Sequence, residues 1–145
     1  MTPTNEKMPV ENRIIRRGEV YYANLDDAIG HEQKNDKDTE RRLAVVVSNN
    51  KQNEQNKVVV IVPLSSKVHN LKPSFQAPTY FQGKPGKAKC EQVRAMDVER
   101  LLGIKQGNLT ENEMENIDKK LLIVLDLVKY LGRTSESKAK RHYSF

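Results

Sequence analysis

The chain has 145 residues, 37% of them apolar and 30% charged, with no Trp and a formal net charge of +6. That is enough for one hydrophobic core and too apolar for disorder throughout, while no stretch reaches the roughly 18 uncharged apolar residues of a membrane span. The single Cys excludes an internal disulfide and a thiolate zinc site, and the three His residues lie too far apart in sequence to favour a His-built metal site.

The N-terminal run MTPTNEKMPVENR lacks the apolar core of a secretory signal, so a reducing cytoplasm is the expected compartment. Pro3, Asn5, Pro9 and Asn12 show no periodicity and read as a flexible extension. Glu19 to Leu25, EVYYANL, is rich in β-formers and predicts a strand. The following DDAIGHEQKNDKDTERR has one strongly apolar residue, Ile29, and reads as a long surface loop. Leu43 to Ser48 and Val58 to Leu64 are β-branched runs joined by the polar NNKQNEQNK. They predict adjacent antiparallel strands, both well buried. PTYFQGKPG, from Pro78, contains a turn and an edge strand. Ala88 to Met96 reads as one further strand with a polar face.

The last element is the clearest. Thr110 and Glu113 form a capping box, and Leu109 and Met114 are spaced for a hydrophobic staple. Met114, Ile117, Leu121, Leu125, Val128 and Leu131 recur at helical spacing, with Gly132 as the stop. The expected helix has roughly 21 residues, and its wide apolar face packs on the sheet or on a second subunit. Strands followed by one terminal helix favour an α+β unit or a small barrel, not a βαβ nucleotide fold.

The charge sits mostly in the tails. Residues 1–17 hold four cations and two acids, residues 133–145 four cations and one acid, which leaves +1 for 18–132. Net charge therefore does not choose between solvated tails and a grip on a phosphate backbone. Glycine-rich phosphate loops, GxSxG, HExxH and CxxC are missing. Polar residues instead cluster at strand ends: His31, Glu32 and Gln33, then Arg41 and Arg42, then Ser65, then Lys89, Glu91, Gln92 and Arg94. If those ends converge, one cleft gathers a base, an acid and cations. Such a set can cleave RNA without a metal, by attack of the ribose 2′-OH on the adjacent phosphorus.

At these residues the chain resembles the MazF/PemK/Kid toxins, and the PemK/Kid branch most. Arg16-Arg17-Gly18-Glu19-Val20-Tyr21 is similar to that family's opening, Gly30-His31-Glu32-Gln33 to its GHEQ, and Arg42 to Asn49 to its RPVLVIQN run. Cys90 to Asp97, CEQVRAMD, is similar to CDQPRTID. The resemblance covers roughly residues 16–131 and bounds a domain at 16–132, between an extension at 1–15 and a basic tail at 133–145. It implies a small SH3-like β-barrel with a C-terminal helix, acting as a homodimer without cofactor or metal. It implies the toxin of a type II toxin–antitoxin system that cleaves single-stranded messenger RNA, leaving 2′,3′-cyclic phosphate and 5′-OH ends. The partner would be an antitoxin whose acidic C-terminal segment is disordered until bound.

By the same resemblance Arg42 contacts the scissile phosphate, and Ser65 stands where the MazF branch has a catalytic threonine. Glu91 and His31 match the acidic residue and the histidine of the Kid branch, and Lys89 stands for an arginine. The two branches assign catalysis differently, and both assignments stay open. Glu32, Gln33, Gln92 and Arg94 fall where RNA is touched, and Arg41 can stand in for Arg42. The loop between Gln33 and Arg42 has neither the family's Gly nor its Pro. Gyrase poisons of the CcdB type resemble the same fold, but they act through a C-terminal end that includes Trp, which this chain lacks. A non-catalytic RNA-binding relative is the remaining alternative.

Overall fold

Residue alternation builds the centre of the molecule. A computed structural model describes residues 13–132. In it β1 (Glu19–Ala23), β2 (Arg42–Val46) and β3 (Val58–Ser65) pair antiparallel in that order. Tyr21, Ala23, Ala44, Val46, Val59 and Ile61 enter one apolar cluster, while Val20, Val45, Val62 and Leu64 enter a second on the opposite face. A sheet buried on both faces needs apolar residues at every position, which is why these strands read as continuous Val runs. The polar connection between β2 and β3 holds a short helix, α1 (Asn50–Gln55), capped by the Asn49 side chain.

β3 is shared by two pairings on its far edge. Its first half pairs with β6 (Arg94–Asp97), and its last residues pair with β5 (Lys84–Lys89). Pro63, without an N–H, lies between the two partner segments. β4 (Gln76–Phe81) pairs with β5 across a two-residue turn at Gln82 and Gly83, both with positive φ as the twist of a tight hairpin requires. β7 (Leu101–Asn108) pairs with β1, a strand the sequence did not reveal. The mostly antiparallel sheet with its C-terminal helix is the expected fold class, and the path β4-β5-β3-β2-β1-β7 leaves the sheet open at its ends.

Two further expectations are corrected. The single strand over Ala88 to Met96 is broken by a 3-10 turn at Cys90–Gln92, so Glu91 and Gln92 ride on a turn between β5 and β6. Cys90 is fully buried there, which fixes the turn against the core. The C-terminal helix, α2, spans Glu111–Val124, 14 residues and not 21. Its capping box is present, and Leu109 and Met114 share a cluster, as the staple requires. It stops early because Asp126 adopts a left-handed φ of 57°. The N–H of Leu127 then donates to the Leu122 carbonyl and that of Asp126 to the Ile123 carbonyl, closing a Schellman motif. Asp126, not Gly132, is the stop. Around and beyond it Leu125, Leu127, Val128, Tyr130 and Leu131 remain exposed.

Arg13 and Ile15, placed by sequence in the extension, belong to the packed unit. Arg13 donates to the Leu101 and Val98 carbonyls at 2.5 and 2.7 Å, and Ile15 is buried. The rest of the extension, 1–12, and the basic tail at 133–145 lie outside the described residues. No helix among the described residues is long and apolar enough to cross a membrane.

Candidate active site

Strand periodicity gives the site its charge. Ala88 of β5 points into the core, so its neighbours Lys87 and Lys89 point together to the other face. They meet Arg42 at the start of β2, Ser65 at the end of β3 and His31 from the long loop around a cavity of about 400 Å³. Five cations, Lys34, Arg42, Lys67, Lys87 and Lys89, line it against one carboxylate, Glu32. A domain with almost no net charge thus concentrates cations where an anion would bind.

Three of the cations are held by carbonyl oxygens of backbone or amide side chain rather than by acids. Arg42 Nε donates to the Lys34 carbonyl at 3.0 Å, and Lys87 Nζ reaches the His69 carbonyl at 3.4 Å. Lys89 Nζ donates to Gln33 Oε1 at 3.0 Å. Burial lowers the Arg42 guanidinium from its ordinary value, with Asp36 opposing. Burial also lowers the Lys89 ammonium, Glu91 opposes that shift, and Lys87, Arg42 and Lys67 add to it.

Glu91 lines a neighbouring cavity of about 400 Å³ with Glu32, Gln33, Gln92 and Arg94. Glu32 and Gln33 border both cavities, and the Gln33 N–H donates to Gln92 Oε1 at 3.1 Å. One carboxylate oxygen of Glu91 accepts from Gln76 Nε2 at 2.7 Å, and the other is buried without a hydrogen-bond partner. Arg94 forms a two-pronged ion pair with Asp27, at 3.1 and 3.0 Å, which ties the long loop to β6. Its charge is therefore shared before any ligand arrives. Cys90 between Lys89 and Glu91 is no nucleophile: burial pushes its thiol up to about 12, so it stays protonated. Among the described residues no group of three or more His, Cys, Asp or Glu could hold a metal ion.

The long loop organises itself without the Gly and Pro of the resemblance. Asp36 N–H donates to the Arg41 carbonyl, Glu40 N–H donates to the Asp36 carbonyl, and Glu40 supplies a left-handed residue with φ 57°. Arg41 does not join the cationic cavity. Its guanidinium lies over the Tyr22 ring, 3.6 Å from the centroid.

The ten residues singled out by sequence therefore fall in three adjoining cavities: His31, Glu32, Gln33, Arg42, Ser65 and Lys89 in the cationic one, Glu91, Gln92 and Arg94 beside it, and Arg41 in a third that shares Arg42 and Ser65. Sequence reasoning missed Lys67, His69, Lys87 and the buried Gln76 that holds Glu91. Extending the alternation of β5 back by one residue from Ala88 finds Lys87; nothing local marks the others.

Gly86 sets how closely β5 approaches Ser65. A Cβ there would sit 2.7 Å from the Ser65 carbonyl oxygen and 3.2 Å from Thr79 Oγ1. Gly86→Ala should destabilise the fold by about 1–3 kcal/mol, the cost of overpacking, read as a lower urea midpoint at unchanged slope. Lys89 gives a pH prediction. A lowered value means the proton leaves at lower pH, so the cavity loses this charge before an ordinary lysine would, near pH ~10.4. Any activity needing that charge should fall on the alkaline side below that value. Lys89→Arg should move that limb to higher pH in the rate profile, since guanidinium stays charged.

Comparisons with known proteins place the chain in a family. A family profile described as PemK-like, MazF-like toxin of type II toxin–antitoxin system matches residues 16–125. The chain is 34% identical over 122 residues to endoribonuclease MazF9 of Mycobacterium tuberculosis, covering 79% of this chain and 98% of that protein. In fold it is similar to a MazF of Deinococcus radiodurans, with TM-score 0.66 and 19% identity over 79% of this chain and 99% of that one. It is also similar to a mycobacterial endoribonuclease solved in complex with its cognate antitoxin, with TM-score 0.59 and 24% identity over 78% and 96% of the two chains.

Proposed function

The chain belongs to the PemK-like, MazF-like toxins of type II toxin–antitoxin systems, and from that premise we propose that it is an endoribonuclease that cuts single-stranded messenger RNA in the cytoplasm without a metal. The observation that carries this reading is the cavity where Arg42, Lys67, Lys87 and Lys89 converge, next to the Glu91 carboxylate. A backbone phosphate fits the cationic side, where positive groups offset the charge that builds on its oxygens during reaction.

Glu91 serves as base and removes the proton of the ribose 2′-OH. The freed oxygen attacks phosphorus, the bond to the 5′ oxygen breaks, and His31 protonates that leaving oxygen. The products carry a 2′,3′-cyclic phosphate and a 5′-OH. Glu91 and His31 border different cavities that meet at Glu32 and Gln33, which suits base and acid acting from opposite sides of the phosphorus. The Ser65 hydroxyl, and the lysines beside it, bind phosphate oxygens. Single-stranded RNA suits such a site because its base edges are free to be read.

An antitoxin with an acidic, disordered segment would occupy the same cations and block RNA by occlusion. The relative solved with its cognate antitoxin supports such a partner. The apolar stretch after α2 supports a homodimer: Leu125, Val128 and Leu131 are 54%, 45% and 56% exposed, and large apolar side chains left in water close together in sequence suit a protein–protein contact. Leu125→Asp with Leu131→Asp should convert the dimer to monomer in sedimentation; an unchanged dimer would locate the interface elsewhere.

The direct experiment incubates the purified chain with a long single-stranded RNA in EDTA and maps the ends. Cleavage at one short sequence, leaving cyclic phosphate and 5′-OH ends, is the expected result. No cleavage by the folded protein overturns the enzyme reading and leaves RNA binding or gyrase inhibition to be assayed.

A further inference from the structure

Gln76 opens β4 and is only 2% exposed. Its partner across the β4–β5 pairing is Lys89, and the next pair, Ala77 and Ala88, lies in the second apolar cluster. Alternation therefore turns the Gln76 side chain away from that cluster, to the face that carries Lys89. Both ends of its amide are used there. Nε2 donates to Glu91 Oε2 at 2.7 Å, and Oε1 accepts the Lys72 N–H at 3.0 Å. Only this orientation of the amide satisfies both neighbours, because an ionised carboxylate only accepts and a backbone N–H only donates. The Gln76 and Phe75 N–H groups donate in turn to the Lys72 carbonyl, at 2.8 and 3.1 Å. The segment fastened in this way, residues 66–75, brings Lys67 and His69 to the cationic cavity.

We propose that Gln76 is a positioning residue of the reaction: it holds the Glu91 carboxylate in the orientation that takes the ribose 2′ proton, and it does so from the segment that supplies Lys67. Base and phosphate grip are thereby set together. This rests on the RNA-cleaving reading of the site. Three observations carry it. Gln76 is buried, so its amide has no water to turn to, and leaving Glu91 would strand an unpaired polar group. The amide is neutral, so it fixes one oxygen of Glu91 without an opposite charge. A cation in its place would favour the ionised carboxylate and weaken it as a base. The other oxygen of Glu91 has no hydrogen-bond partner, so fixing Oε2 leaves one defined oxygen to receive the proton. A general base works only within hydrogen-bond reach of its proton, and an untethered Glu side chain is free to sample other rotamers.

The test has two arms. In the first, single-turnover cleavage of a short RNA is followed at rising protein concentration, which separates the rate at saturation from the affinity. Gln76→Met keeps the volume and removes the donor. Its saturating rate should fall about 10²-fold, the scale of a reacting group displaced by about 1 Å, while affinity changes little. Gln76→Asn keeps the amide but falls short of Glu91, and should lie between Gln76→Met and the wild type. The same Gln76→Met change is then made in the Glu91→Gln background, where it should bring no further loss, because no base remains to be oriented. An unchanged rate in Gln76→Met, a loss in affinity alone, or an equal loss in both backgrounds overturns the positioning role. In the second arm, NMR follows exchange of the Gln76 side-chain amide protons without RNA. Exchange should be slow in the wild type and faster in Glu91→Ala; equal exchange overturns the tether. A wild-type chain that cuts no RNA overturns the nuclease reading, and the positioning role with it, even where the amide protons stay protected. Cleavage that is indifferent to Gln76 overturns the positioning role alone. Circular dichroism confirms that each variant is folded, and the milder Gln76→Asn keeps the test open where Gln76→Met does not fold.

Discussion

Replacing Arg42 by alanine is expected to lower the rate of RNA cleavage by about 10²–10³-fold, the loss seen when one donor to a developing oxyanion is removed. Arg42 opens β2, and its Nε is held by the Lys34 carbonyl. No acid pairs with its guanidinium among the described ion pairs, although Asp36 is near enough to act on its charge. Burial lowers it from its ordinary value, yet a guanidinium starts so high that it stays charged at neutral pH. A half-buried cation with backbone anchors is already oriented before substrate arrives, so little reorganisation accompanies the reaction. The loss should fall mainly on kcat, because Lys67, Lys87 and Lys89 still attract the phosphate. Single-turnover cleavage of a short RNA measures this. A change confined to KM would reduce Arg42 to a binding contact.

Glu91→Gln should lower single-turnover cleavage by about 10²–10⁴-fold, the range for loss of a general base. The amide keeps the shape and can still meet Gln76, so the fold should survive. The carboxylate is suited to the role because one oxygen is fixed by Gln76 and the other is buried with no hydrogen-bond partner. Binding of an uncleavable 2′-O-methyl RNA should change little. Ser65→Ala separates the two catalytic assignments: a small loss makes Ser65 a phosphate contact, whereas a loss as large as that of Glu91→Gln shifts the chemistry to Ser65.

Local pattern was a good guide where one element met one environment. The Val runs of β2 and β3, the strand at β1 and the capping box of α2 each follow from side chains that interact within a few residues. The failures share a cause in longer-range competition. β7, LLGIKQGN, carries two glycines and three polar residues in eight and becomes a strand because β1 pairs with it. The apolar periodicity past Val124 continues, but a backbone reversal at Asp126 stops the helix. The break at Cys90–Gln92 goes with burial of Cys90 against the Ile117 carbonyl, a contact remote in sequence.

Four short motifs in order mark the family, and the chemistry on offer is legible as a histidine, a carboxylate, a hydroxyl and several cations at strand ends. The central strands were legible too, because strands buried on both faces are apolar at nearly every position. Which groups share a site follows from the strand pairing in three dimensions. Net charge near zero over residues 18–132 hid a cavity with five cations, because Lys67, Lys87 and Lys89 are brought to Arg42 by the pairing of β3 with β2 and β5. The tertiary structure decided likewise that Arg41 faces Tyr22 and not the phosphate cavity. Electrostatic potential depends on distances in space, and a chain's sequence lists charges without those distances.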